Sequence, residues 1–124
     1  MFRKSCIIKE NSYFEEYAKC HHFDFILAKG KKKRDWLDRQ HVSFDEKIHV
    51  YLSNQERNNA SMRLLTYLDQ YADTLFREKE IKELLNLCDY MLTKYIAEYD
   101  RTEKEIRKFA NELKVLCLEA LEQN

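Results

Sequence analysis

Proline is absent from the 124 residues of this chain, and glycine occurs once, at Gly30. No other feature constrains the fold as much. Tight turns between strands draw on glycine and proline, whereas both residues destabilise helix interiors. The expected fold is therefore all-α, a compact bundle of four or five helices. The alternative is α+β, with short strands in residues 1–55, around residues 6–9 and 47–52. The length fits one domain, 1–124. Within it, the N-terminal portion 1–60 has a pattern that reads two ways, and residues 61–122 form a helical core. A chain of this size buries a real core without metal or disulfide staples.

The C-terminal half carries the clearest periodicity. Ile106, Phe109, Ala110, Leu113, Leu116, Cys117, Ala120 and Leu121 recur at three- and four-residue steps, one stripe of a helix over residues 102–122. Thr102 and Glu105 have the spacing of a capping box. Ile81, Leu84, Leu85, Cys88, Met91, Leu92, Tyr95 and Tyr99 make a second stripe over residues 80–99, with Glu78 and Glu80 at its positive end. Asp100 and Arg101 are the expected break, and so short a break implies an antiparallel helical hairpin. A third stripe, Leu65, Leu68, Ala72, Leu75 and Phe76, is out of phase with the second, so either the chain turns at residues 77–79, the favoured reading, or one long helix shows two faces to two partners.

The first sixty residues are ambiguous. Phe14, Tyr17, Ala18, His21, Phe25 and Ala28 suit a helix, yet residues 22–27 suit a strand equally well. Ser43 and Glu46 have capping-box spacing before a helix through Ile48 and Tyr51, while the alternation of Ile48, Val50 and Leu52 suits a strand. Residues 54–61, nearly devoid of apolar side chains, read as a loop. Net charge is zero, but residues 1–42 hold ten Lys and Arg against six Asp and Glu, and residues 43–124 hold twelve against sixteen. A basic N-terminal segment lying on an acidic helical body is the simplest account; a basic patch held out for a polyanion is the other. No apolar run reaches membrane-spanning length. Lys9, Glu10, Glu15 and Glu16 interrupt the N-terminus too soon for a signal-peptide core. A cytoplasmic location follows as an expectation, with Cys6, Cys20, Cys88 and Cys117 as reduced thiols.

Four groups of residues are candidates for chemistry or binding. Lys29, Lys31, Lys32, Lys33, Arg34, Trp36 and Arg39 gather cations and one aromatic around Gly30. Cations of this kind bind phosphates by releasing counterions, and an aromatic stacks on a base. Within the same segment, Arg34, Asp35 and His41 resemble the ribonuclease motif of HEPN-type helical nucleases. In that family an arginine and a histidine from two subunits form a composite site. The resemblance implies phosphate stabilisation by Arg34 and an acid–base or orienting role for His41. It covers eight residues and lies in the first third of the chain, whereas the family carries the motif in a late helix. Cys20, His21 and His22, with Cys6, His41 and His49, are ligand types for zinc but lack a ligand spacing, so neither a metal nor another cofactor is expected. Finally, Leu87 and Tyr90 lie off the second stripe, and Val115 and Leu118 lie off the first. Apolar residues beyond one stripe imply a second neighbour: elsewhere in the fold, in a second copy of the chain, or in a partner.

No nucleophile–base pair and no glycine-rich nucleotide loop is legible. The function expected from these features is that of a non-enzymatic regulatory or adaptor protein. It binds another protein, or a second copy of itself as a homodimer, through a helical surface formed by Leu87, Tyr90, Val115 and Leu118. A nucleic-acid-binding regulator using residues 29–39 is the second reading, and a HEPN-like ribonuclease is the third.

Overall fold

A computed structural model describes residues 5–10, 22–28, 41–68 and 74–122. Four strands come from residues with alternating or β-branched and aromatic character: β1 (Ser5–Glu10), β2 (His22–Ala28), β3 (His41–Asp45) and the short β4 (Thr74–Phe76). They form one antiparallel sheet in the order β3-β2-β1-β4. The helices are α1 (Glu46–Gln55), the single-turn α2 (Arg63–Thr66) preceded by a 3-10 turn at Ala60–Met62, α3 (Glu78–Lys94) and α4 (Arg101–Glu122).

Helix dominates the described residues, but the all-α bundle needs correction. Strand β2 and the end of β3 occupy stretches that the bundle assigns to N-terminal helices, and β1 covers residues 6–9, where the α+β alternative places a strand. The other strand of that alternative, residues 47–52, is helix α1 instead. Asp45 decides this locally: its carboxylate accepts the Lys47 N–H at 2.8 Å and starts the helix. Phe25 and Ala28, expected on a helical stripe, sit in β2. Leu75 and Phe76, expected on the third helical stripe, sit in β4. In each case strand pairing overrides a helical spacing of few members. The turn expected at residues 77–79 falls at Arg77, whose backbone N–H is accepted by the Glu80 carboxylate at 2.9 Å as α3 begins.

The sheet turns one face to α3 and α4. Phe23 pairs across the strands with Phe44, and Phe25 with Val42, and all four side chains point into that face. Helix α4 lies against β1, β2 and β3, and α3 against β1 and β4. The two layers meet in an aromatic seam. Phe44 stacks on Phe109 of α4 with ring centroids 4.4 Å apart, and Phe25 lies between Phe44, Phe76 and Phe109 at 5.9 to 6.2 Å. Ring pairs of this kind add to the burial of their area. One cluster of buried residues joins β2, β3, β4 and every helix. On the opposite face of the sheet, the Ser43 hydroxyl donates to the Asp24 carboxylate at 3.2 Å.

The α3–α4 hairpin matches the expected antiparallel pair, but α3 ends earlier than the second stripe predicts, at Lys94 rather than Tyr99. Arg107 explains the difference. Its Nη1 donates to the carbonyls of Tyr95 (2.7 Å) and Ala97 (3.1 Å), drawing the chain away from the helix axis. Tyr99 consequently stands in solvent. Asp100 then opens α4 by accepting the Glu103 N–H at 3.0 Å, a role that the sequence pattern assigns to Thr102.

Candidate functional site

The most concentrated polar chemistry among the described residues surrounds Glu56, which caps α1 through its N–H to the Leu52 carbonyl at 2.8 Å. Its carboxylate is almost wholly buried. Oε1 accepts from Asn59 Nδ2 at 3.1 Å and from the Tyr90 hydroxyl at 2.8 Å. Oε2 accepts from Lys94 Nζ at 2.6 Å and from the Tyr95 hydroxyl. Lys94 also donates to the Tyr90 oxygen at 3.2 Å. Burial works against the charged carboxylate, but the four donors outweigh it and bring Glu56 down to about 2. The hydrogen bond to Glu56 raises Lys94, and burial reinforced by that same carboxylate raises Tyr95.

This centre borders an open depression of about 440 Å³ lined by residues 54–59 at and beyond the end of α1, Tyr90 and Lys94. Its chemistry is that of a clamp. A carboxylate whose two oxygens each hold two donors, and whose proton affinity is that low, is a poor general base or nucleophile near neutral pH. What it does is tie the end of α1 to the last turns of α3, 34 to 39 residues further along the chain. Sequence reasoning missed Glu56, Asn59 and Lys94. The only available signal was the polar run at residues 54–61, which reads as an ordinary loop, because nothing local announces so distant a partner.

The expected protein-binding residues separate into two pairs. Leu87 is 6 % exposed and belongs to the core, at the floor of a groove of about 550 Å³ lined also by Ala60, Ser61, Leu64, Glu83 and Asn86. Tyr90 is half-buried and engaged with Glu56. The second neighbour of α3 is thus the chain's own segment around α2. Val115 and Leu118 behave differently, being 57 % and 45 % exposed on the outer side of α4. The inner side of that helix is filled by Ile106, Phe109, Ala110, Leu113, Leu116, Cys117 and Ala120.

Lys29, Lys31, Lys32, Lys33, Arg34, Trp36 and Arg39 lie outside the described residues, as do Cys20 and His21. His41 opens strand β3 opposite Ile26, a strand setting rather than the helix in which HEPN-type nucleases carry their motif. His49 donates from Nε2 to the Thr66 carbonyl at 3.2 Å and packs its ring against Phe23 and Phe44; burial lowers its proton affinity despite that bond. Cys88 and Cys117 are free thiols buried between α3 and α4, and burial pushes the Cys88 thiol well above its usual range. Among the described residues, no three His, Cys, Asp or Glu side chains gather to hold a metal ion, and no helix is long and apolar enough to cross a membrane. No protein-family model matches the chain, nor does any curated protein or solved structure.

Proposed function

We propose that the chain is a non-enzymatic regulatory or adaptor protein that binds another protein through the outer face of α4. One observation carries this reading. Val115 and Leu118, one turn apart, expose about half of their side-chain surface near the C-terminal end of a 22-residue helix whose inner face is already filled. Single exposed apolar residues are ordinary, but a branched pair on one exposed face is the smallest unit of a helix-in-groove or helix–helix contact. The principal polar centre supports the same reading, since every oxygen of Glu56 is committed to holding the fold together.

The test is photo-crosslinking in cells, with a photoreactive residue at position 118 and a control at exposed Lys82 on α3. The expected result is a discrete adduct from position 118 that is absent from position 82 and disappears when Val115 is also replaced by Lys. Equal labelling at both positions, or none at 118, overturns the proposal.

A further inference from the structure

Val115 and Leu118 belong to a longer pattern. Arg101, Lys104, Lys108, Asn111, Val115, Leu118 and Glu122 follow one another at alternating steps of three and four, the spacing of a coiled-coil seam, and all seven are exposed. Charge along the seam positions themselves is segregated. The N-terminal half holds three cations, flanked by Glu112 and by Glu105, which pairs with Arg101 at 3.6 Å; the C-terminal half holds Glu122, flanked by Glu119.

The segregation opposes the field of the helix itself. Anions are favoured at a helix N-terminus and cations at its C-terminus. Here Arg101 and Lys104 outnumber Glu103 in the first turn, which Asp100 caps, and the last turn holds acids and no base. An antiparallel copy of the same helix relieves both ends at once, because basic half meets acidic half and the two dipoles cancel.

Resting on the proposed binding role of this face, we infer that its partner is a second copy of the chain, with the two α4 helices antiparallel about a two-fold axis midway between Asn111 and Val115. In that register Lys104 of each copy faces Glu122 of the other, at both ends of the seam. Lys108 lies over Leu118 and Glu119 of the other copy, with its aliphatic stem on the leucine. Asn111 meets Val115. The four apolar side chains form one continuous line across the centre. A two-fold contact of this kind closes on itself and stops at a dimer. One helix–helix seam is smaller than the roughly 1,200 Å² of stable interfaces, so the dimer is weak, with Kd of order 100 µM.

The experiment is sedimentation velocity on the full chain, from about 10 µM to about 1 mM, a range that brackets such a Kd. The wild type is expected to shift from monomer to dimer with concentration, and less so at high salt. The variants K104E/K108E and E119K/E122K, each checked for unchanged circular dichroism and melting, are expected to stay monomeric. Their equimolar mixture is expected to dimerise about as tightly as the wild type, since one end of the seam then keeps its native charge pairs and the other has them with the signs exchanged. A wild type that stays monomeric at the highest concentration and low salt overturns the inference, as does a mixture that fails to associate. So does a dimer indifferent to both charge reversals. These outcomes are separable from failure of the binding role. A crosslink from position 118 to a protein of another mass keeps that role and removes the second copy as partner, whereas no crosslink at all removes the role.

Discussion

At the scale of the residue, Glu56 is the side chain on which most depends. It is the one charged group buried among the described residues, and it holds four donors from two separate parts of the chain, the turn at Asn59 and the end of α3. Removing one partner of a buried pair is more damaging than the pair is stabilising, because the remaining charge keeps its desolvation cost. Lys94 retains partial access to water, which softens the loss. Glu56→Gln is expected to destabilise the fold by about 3 kcal/mol in urea titration at neutral pH. The wild type carries a matching pH signature. The carboxyl binds its proton more weakly in the folded chain, at about 2, than at its ordinary value of 4.5. Its contribution, of order 3 kcal/mol, is therefore complete above pH ~4.5 and disappears as pH falls towards ~2. The difference in unfolding free energy between wild type and Glu56→Gln should shrink across that window; a constant difference would mean that the charge is not what matters. His49 works in the same direction at milder pH. Burial lowers its proton affinity below the ordinary 6.5, so its neutral, Thr66-bonded ring stabilises the fold above that value and less so as the pH falls below it. NMR titration of the histidine ring should show His49 more than half neutral at pH 6.5, and a midpoint above 6.5 would contradict this.

At the scale of the element, the α3–α4 hairpin and the sheet differ in how far they can be read from sequence. The hairpin is legible because each helix repeats its apolar stripe over several turns, and of the Ile106 stripe only Leu121 is left partly exposed. Its exact end is not legible, since α3 stops where Arg107, twelve residues beyond Tyr95, captures the carbonyls. The strands are short, and residues such as Phe25 and Phe76 fit both periods until a neighbouring strand fixes them. Pairing between β1 and β4, some seventy residues apart, leaves no local mark. The candidate binding face is legible in half: Val115 and Leu118 stand outside the stripe and outside the core, whereas Leu87 stands outside the stripe yet inside the core. Periodicity reports the angle around a helix and not what covers it. Phe109 tests the seam that unites helix and sheet. Stacked on Phe44 and touching Phe25, it should cost about 3–5 kcal/mol when replaced by Ala, measured by chemical denaturation. A cost below about 1 kcal/mol would mean that the two layers do not meet there.

At the scale of the whole molecule, the described chain divides its apolar residues between two tasks. Most lie in a single cluster that welds the sheet to the helices, closed at one end by the Glu56 clamp, while Val50, Tyr67, Leu75, Ile96 and Tyr99 stand exposed outside it. The outer seam of α4 lies apart from that cluster, with a charge order that disfavours its own helix and suits an antiparallel neighbour. Function and stability should therefore respond to different substitutions. The measurement that tests this division most directly is the unfolding free energy, in dilute solution where the chain is monomeric, of Leu87→Ser beside the double variant Val115→Ser/Leu118→Ser. Leu87→Ser should cost more than about 2 kcal/mol, because it opens the core, and the double variant should stay within about 0.5 kcal/mol of the wild type while losing association. A double variant as destabilised as Leu87→Ser would contradict the account, since the outer face of α4 would then be holding the fold rather than waiting for a partner.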